Sequence, residues 1–303
     1  MNLGYACINM ELNARKGDDR ITTNRSMIKK TFNDKGVDYA SELILQNVID
    51  LNQIIDWNEQ NNIKFFRMSS DIFPWASEYY QDWDSVPHID LIKIWLENAG
   101  LKAEEYGQRI TSHPGPFNVL VSPNENVVQN TITDLTIHGQ IFDMMGLSRT
   151  PYNKLNIHCN GVYGDKESAL DRFCKNFERL PESVQSRLTV ENDDKASMYS
   201  VKDLYEGIHK RIGIPIVFDY HHYKFNTGGQ TEEEALEMAL STWGDIKPVV
   251  HYSESRSEEQ LDESIKPQAH SDLIKELPNT YGNDVDIMVE AKHKELAIEG
   301  FIK

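Results

Sequence analysis

The chain has 303 residues, of which 39% are hydrophobic and 26% are charged. This length and composition are typical of a folded chain with a sizeable core, and they exclude a disordered one. The formal net charge of −17 argues against a general affinity for polyanions such as nucleic acids. Because the three cysteines form no CxxC motif and no apolar run is long enough to cross a membrane, we expect a cytoplasmic protein with no membrane partner.

Eight short apolar or β-branched segments, each bounded by turn residues or a polar stretch, are predicted to be strands. In chain order they are Leu3–Ile8, Lys64–Met68, Arg109–His113, Lys154–Cys159, Leu188–Glu191, Ile214–Phe218, Pro248–His251 and Asp286–Val289. Amphipathic segments between them predict helices, most clearly Asp38–Gln60, His88–Tyr106, Val127–Met145, Glu167–Leu180, Val201–Arg211 and Glu232–Thr242. Strand–helix alternation predicts parallel strands, and eight repeats favour an α/β fold of the closed (β/α)8 TIM barrel type over an open doubly wound sheet.

No linker divides the chain, so we expect a single TIM-barrel catalytic domain over residues 1–303, with a long loop over residues 9–36 after strand one. Loops of this length are more often functional than decorative. Between Met10 and Gly36 the chain carries seven basic and four acidic residues, which leaves this segment at +3 in an otherwise acidic protein. The loop, with Arg15 near its start, is therefore a candidate contact for an anionic partner.

Six consecutive predicted strands finish in a residue that can bind a metal ion. In chain order these residues are His113, His158, Glu191, Asp219, His251 and Glu290. A single histidine after a strand is more often a hydrogen-bonded core residue than a ligand, but six at equivalent positions are not explained in that way. In a barrel, the carboxyl ends of all strands open onto the face where active sites of this fold are built.

Imidazole and carboxylate ligands without a thiolate suit Zn²⁺, Mn²⁺ or Fe²⁺. More than four ligands imply more than one ion, and two ions bridged by a carboxylate can activate water and stabilise both the attacking and the leaving oxygen of a phosphodiester. Glu191 is the candidate bridge because it lies in the middle of the series. Together with Asp219 and Glu290 it forms the set of candidate catalytic carboxylates.

Nine sequence segments resemble the ultraviolet damage endonucleases, and the resemblance spans almost the whole chain. They are NLGYACIN, FFRMSSDIFP, SHPGPF, LNIHCNG, LTVEND, FDYHHY, VHYSES, AHSD and DIMVEAK. The resemblance implies a barrel related to the apurinic endonuclease IV barrels, with up to three divalent ions, commonly manganese. It implies that one ion is bound by His113, His158 and Glu191, a second by Glu191, Asp219, His251 and Glu290, and a third by His222 and His270.

The same resemblance implies several DNA contacts. Phe117, in SHPGPF, would fill the gap opposite a flipped lesion, and Tyr5 and Asn9 would approach from the end of strand one. Two positions depart from the family pattern: Pro116 stands where a glutamine is usual, and Val249 stands where a lysine is usual. For Arg67 both a phosphate contact and an internal ion pair are open.

The main hypothesis is a monomeric DNA repair endonuclease that hydrolyses the phosphodiester 5′ to ultraviolet photolesions in double-stranded DNA, leaving a 3′-hydroxyl. A general abasic-site endonuclease is an alternative on the same barrel. A metal-dependent sugar isomerase or epimerase is an alternative of another class, although such enzymes need a small closed pocket with acid and base groups beside a sugar. A DNA sensor without catalysis is disfavoured, because carboxylates without metal ions would repel DNA.

Overall fold

The computed structural model describes residues 1–302, except for the side chain of Asp18. Eight parallel strands form a closed barrel in chain order, so the predicted fold is confirmed and an open sheet is excluded. The strands are β1 Leu3–Ala6, β2 Phe65–Met68, β3 Arg109–Ser112, β4 Leu155–His158, β5 Leu188–Glu191, β6 Ile216–Asp219, β7 Val249–Tyr252 and β8 Asp286–Val289.

Helices fill the connections between the strands. They are α1 Met10–Asn13, α2 Lys29–Gln60, α3 Ile89–Glu105, α4 Glu125–Met144, α5 Lys166–Phe177, α6 Glu182–Gln185, α7 Val201–Leu204, α8 Lys210–Ile212, α9 Tyr220–Tyr223, α10 Glu232–Leu240 and α11 Arg256–Gln260. A π-helical turn at Tyr205–His209 joins α7 to α8. No helix among residues 1–302 has the length and apolar character required to cross a membrane.

The connection after β1 is more ordered than the predicted loop over residues 9–36. Helix α1 begins directly after Asn9, whose side chain accepts a hydrogen bond from the backbone N–H of Leu12. Helix α2 starts at Lys29 and passes through Gly36, which has a left-handed φ of 67° and kinks the helix. Glycine adopts this conformation without steric cost, so the long helix can change direction there.

The main hydrophobic core lies between the outer faces of the strands and the surrounding helices. Because residues two apart in a strand share a face, the sequence also determines what fills the barrel. Val217, Val249 and Met288 lie on the same strand faces as Asp219, His251 and Glu290, respectively. They form a small apolar cluster beneath these polar residues, together with Ala6, Phe65 and Trp243.

A buried ion pair closes the amino-terminal end of the barrel. The Arg109 guanidinium lies 3.2 Å from Asp286, and it also donates to the carbonyls of Tyr152 at 2.7 Å and Lys247 at 2.8 Å. The side chains of Arg109 and Asp286 are 0% and 2% exposed. The third guanidinium nitrogen donates to the Pro151 carbonyl at 3.2 Å, so the arginine links three segments of the chain at the base of the barrel.

We expect Arg109→Met to lower the free energy of unfolding by about 3 kcal/mol, because it removes one partner of a buried pair and leaves backbone carbonyls without donors. Urea denaturation followed by tryptophan fluorescence measures this change. Arg149→Met is the matched control, since Arg149 forms its ion pairs at the surface and its loss should change stability little. Equal effects of the two substitutions would contradict the role given to Arg109.

Candidate metal centre and candidate nucleic-acid interface

The strand register brings all six predicted strand-end ligands to the carboxyl face of the barrel. His158 is paired with Glu191 across β4 and β5, and Asp219 is paired with His251 across β6 and β7. His113 directly follows β3, and Glu290 directly follows β8. The predicted convergence of these side chains is thus present in the structure.

Glu191 lies at the centre of this group and is 1% exposed. Its Oε2 atom is 3.3 Å from His113 Nε2, 3.1 Å from His251 Nδ1 and 3.8 Å from His158 Nε2. Its Oε1 atom is 3.4 Å from His222 Nδ1. One carboxylate therefore faces four imidazoles from four different elements.

Two groups of ligand atoms are compact enough to hold a metal ion, and both contain Glu191. One group is His113, His158 and Glu191, and the other is Glu191, Asp219 and His251, with the ligand atoms of each group within 4.8 Å of one another. A carboxylate has two oxygens and can serve two ions at once. The shared position of Glu191 is therefore compatible with the bridge predicted from the sequence.

Glu290 extends the second group. Its Oε1 atom is 3.2 Å from His251 Nδ1, and the carboxylate forms an ion pair with Arg67. The Arg67 side chain is only 13% exposed. Of the two interpretations left open for Arg67, the structure shows the internal ion pair.

Several buried ligand atoms have no hydrogen-bond partner. They include Asp219 Oδ2 and His270 Nδ1. A buried polar atom without a partner costs about 1–3 kcal/mol, so such atoms need an explanation. Imidazole nitrogen and carboxylate oxygen are ligand atoms that suit a divalent cation of the Zn²⁺, Mn²⁺ or Fe²⁺ type, and a bound cation would satisfy them.

Four histidine nitrogens lie close to a further polar group of the protein. For His113 and His158 this is the nitrogen opposite the one that faces Glu191, an arrangement that orients ligand rings in metal sites. The pairs are His113 Nδ1 with the Pro114 carbonyl at 3.1 Å, His158 Nδ1 with Asp193 Oδ1 at 3.2 Å, His222 Nδ1 with the Asn192 carbonyl at 2.9 Å, and His251 Nε2 with Lys154 Nζ at 3.1 Å. Asn192, Asp193 and Lys154 were not among the residues predicted from the sequence. The two-residue periodicity of β4, which puts Lys154 on the same face as His158, was the available signal for the lysine.

The charges of the centre favour cation binding. Burial lowers the pKa of His158, but the negative charges of Glu191 and Asp193 outweigh it and raise the value to about 9. Burial opposes ionisation of Glu191, yet the charges of His251 and His158 hold its pKa well below the usual range. Burial and the negative charge of Glu191 raise the pKa of Asp219 to about 6. Clustered carboxylates thus repel one another until positive charge is supplied.

Within the part of the chain that the structure describes, His222 and His270, the ligands predicted for a third ion, do not form a compact group with a carboxylate. His270 is held by an antiparallel bridge to Ser255, and its ring centre lies 6.2 Å from that of His222. Among residues 1–302, no carboxylate lies within ion-pair distance of His270. Val249, at the position where the family pattern has a lysine, is fully buried in the apolar cluster inside the barrel.

The predicted DNA contacts differ in exposure. Phe117 is 86% exposed on the loop after His113, and Pro116 beside it is also exposed. Tyr5 is 0% exposed; its hydroxyl donates to Asn58 at 2.8 Å and receives a hydrogen bond from Asn9 at 3.1 Å. Tyr5 and Asn9 are thus enclosed between β1 and α2 and do not face solvent, because their polar atoms satisfy each other and the cap of α1.

The basic segment after β1 is exposed in part. The side chain of Arg15 is 45% exposed and lies 3.8 Å from Glu11. Arg25 instead pairs with buried Asp50 at 2.6 Å, which places its charge inside the protein. The positive surface of this segment therefore consists of the remaining six basic residues, which are Arg15, Lys16, Arg20, Lys29, Lys30 and Lys35.

Barrel and site together define a (β/α)8 protein with a buried cluster of histidines and carboxylates that could hold metal ions. The sequence profile of the family described as "UV-endonuclease UvdE" matches residues 1–303, and the chain belongs to this family. It is 36% identical over 306 residues to the UV-damage endonuclease of Schizosaccharomyces pombe, covering 98% of this chain and 49% of that protein, so it spans about half of that relative. It is 33% identical over 287 residues to the UV DNA damage endonuclease of Bacillus cereus, covering 91% of this chain and 86% of that protein.

Comparison with solved structures agrees with this family membership. The crystal structure of SacUVDE matches with a TM-score of 0.84 and 30% identity, covering 100% of this chain and 96% of that one. D-psicose 3-epimerase of Clostridium cellulolyticum H10 matches with a TM-score of 0.52 and 11% identity, covering 79% of this chain and 78% of that one. The second likeness is one of fold alone, so it gives no support to a sugar epimerase.

We predict that protein loaded with Mn²⁺ and then dialysed keeps about two ions per chain, because two compact groups share Glu191 while His270 has no carboxylate beside it. Plasma mass spectrometry, referred to protein concentration, measures the content. His158→Asn should reduce it, whereas His293→Asn, at an exposed position, should not. Three ions held equally well would contradict this ranking of the sites.

Proposed function

We propose that this protein is a DNA repair endonuclease that hydrolyses the phosphodiester immediately 5′ to an ultraviolet photolesion in double-stranded DNA and leaves a 3′-hydroxyl. Family membership supports a nuclease that acts on ultraviolet damage. The observation that carries the proposal is the position of Glu191, shared by two compact ligand groups on the same face as the exposed ring of Phe117.

We assign His113, His158, Glu191, Asp219, His251 and Glu290 to two ions, with Mn²⁺ as the first candidate, and His222 with His270 to a third. Bound divalent ions would supply Lewis acidity for water activation and for the charge on the phosphodiester oxygens. The protein's own contribution is orientation: Asn156 donates to Glu191, and Arg67 holds Glu290. These contacts fix the carboxylates before DNA arrives, so little reorganisation is needed during the reaction.

Lesion selection follows from stacking energy. A pyrimidine dimer stacks and pairs poorly, so extruding it from the duplex costs less than extruding normal bases. An apolar side chain can then occupy the gap that is left. Phe117 is placed for this role because it lies four residues after His113 and exposes its ring. Since selection rests on weak stacking rather than on sequence, abasic sites are included among the proposed substrates.

The net charge of −17 is compatible with this substrate. Part of it comes from carboxylates of the centre, and bound cations would offset them. Arg15, Lys16 and Arg20 offer positive charge on the loop after β1, which leaves the barrel at its carboxyl end. DNA binding would then depend on local charge rather than on the average charge of the surface.

We expect Glu191→Gln to abolish incision while leaving the melting temperature close to that of the wild type, because the amide keeps the shape and removes the shared charge. The assay uses a labelled duplex with one defined pyrimidine dimer, Mn²⁺ and, separately, chelator; product length gives the position of the nick. Glu167→Gln, at an exposed position, is the matched control.

Incision by Glu191→Gln at more than about a tenth of the wild-type rate would contradict the proposal that Glu191 bridges two ions. Incision on the 3′ side of the dimer, or equal incision of the intact duplex by the wild type, would refute the proposed function itself.

We expect Phe117→Ala to weaken binding of the damaged duplex by about 5- to 150-fold, the range of base–aromatic stacking, without changing metal content or thermal stability. Fluorescence anisotropy with damaged and intact duplexes measures the discrimination. Leu101→Ala removes an exposed apolar side chain from α3 and should leave discrimination intact. A lower melting temperature with unchanged discrimination would show that Phe117 only packs against its loop.

A further inference from the structure

A second aromatic ring is exposed on the loop that follows β4. Tyr163 lies five residues after the ligand His158, and it is 50% exposed. Its φ of 50° is in the left-handed region, as are those of Asn160 and Gly164 at 65° and 80°. A tyrosine in this conformation is unfavourable and persists only where its surroundings determine it, often at functional sites.

Two contacts hold the ring of Tyr163 in place, and a hydrogen bond from Tyr199 holds Gly161 beside it. A Cβ atom on Gly161 would lie 2.9 Å from the tyrosine ring, so only glycine allows the observed approach. The Gly161 carbonyl accepts a hydrogen bond from Tyr199 at 3.1 Å. The Arg172 guanidinium lies over the ring, 5.7 Å from its centre. The ring is thus supported by the protein while half of its surface faces solvent.

The same loop is tied to the segment that carries Phe117. Asn160 Nδ2 donates to the Asn118 carbonyl at 3.1 Å, and Arg172 Nε donates to the Val121 carbonyl at 2.7 Å. Asn176 of α5 donates to the Leu120 carbonyl at 2.8 Å. All three acceptors follow Phe117 closely in the chain, so the segment of Phe117 is hydrogen-bonded to the loop of Tyr163 through Asn160 and to α5 through the other two donors.

Folding does not require the exposed part of Tyr163. Among residues 1–302, its hydroxyl has no hydrogen-bond partner, and the contacts above use only the ring. An exposed, well-supported aromatic ring with little conformational entropy to lose is suited to stacking on a nucleobase, because every base presents a π face. The positive charge of Arg172 beside it is favourable near a phosphate backbone.

Resting on the proposed function, we propose that Tyr163 is a second DNA-contacting aromatic residue, which stacks on a base left unstacked beside the lesion while Phe117 occupies the gap. The two rings would contact the distorted duplex at two points. An intact duplex has no unstacked base to offer, so Tyr163 adds to discrimination rather than to general affinity.

The test is single-turnover incision by the Mn²⁺-loaded protein on a duplex with one pyrimidine dimer, over a series of protein concentrations. The concentration for half-maximal rate reports DNA affinity, and the maximal rate reports the chemical step. Tyr163→Asn is the main variant, because asparagine tolerates left-handed φ and removes the ring without straining the loop. We expect a rise in the half-maximal concentration of about 5- to 150-fold with little change in maximal rate.

Tyr163→Phe keeps the ring and should behave as the wild type. Tyr152→Ala is the control, since this partly exposed tyrosine lies near the opposite end of the barrel. Unlabelled damaged duplex should compete less well against Tyr163→Asn than against the wild type, whereas intact duplex should compete equally against both.

An unchanged half-maximal concentration for Tyr163→Asn, or an equal loss of affinity for damaged and intact competitors, would overturn the role of Tyr163. The role would also be overturned if the loss of DNA affinity came with a lower melting temperature and Tyr163→Phe lowered the melting temperature equally. Absence of dimer-dependent incision by the wild type would instead refute the proposed function, so the two failures are distinguishable.

Discussion

The arrangement of the candidate metal centre depends on a single buried carboxylate, Glu191. An ionised group with 1% exposure needs compensation, and four histidine rings supply it at 3.1–3.8 Å, one directly after β3 and the others from β4, β7 and α9. Those rings are in turn positioned by carbonyls, Asp193 and Lys154. The barrel serves this arrangement because its strand ends bring side chains that are distant in sequence to one point.

Most of the architecture was predictable from periodicity. Eight apolar segments alternate with amphipathic ones, and the strands occur where the pattern indicated. The strand-end ligands from His113 to Glu290 were also predictable, since each terminates an apolar run. The register of the parallel strands then places these residues side by side. His222 and His270 have no such signal, because one lies in a short helix after β6 and the other in a long irregular segment; only family resemblance indicated them.

What the sequence could not supply was the environment of individual side chains. Tyr5 and Asn9 stand next to a strand end, as Phe117 does, yet their polar atoms pair with each other and with Asn58, so they are buried. Arg67 carries a charge suited to a phosphate, but it forms an ion pair with Glu290, which is distant in sequence. Such outcomes depend on long-range partners that a local pattern does not specify.

The carbonyls of Asn118, Leu120 and Val121 accept hydrogen bonds from Asn160, Asn176 and Arg172, and this has a consequence for how the protein can diversify. The segment after β3 that carries Phe117 is thus held by Asn160 of the loop after β4 and by two residues of α5. A substitution at one of these donors would release part of that segment, whereas the metal ligands at the strand ends can stay as they are. Divergence in substrate range would then appear at the three donors and in the segment that they hold.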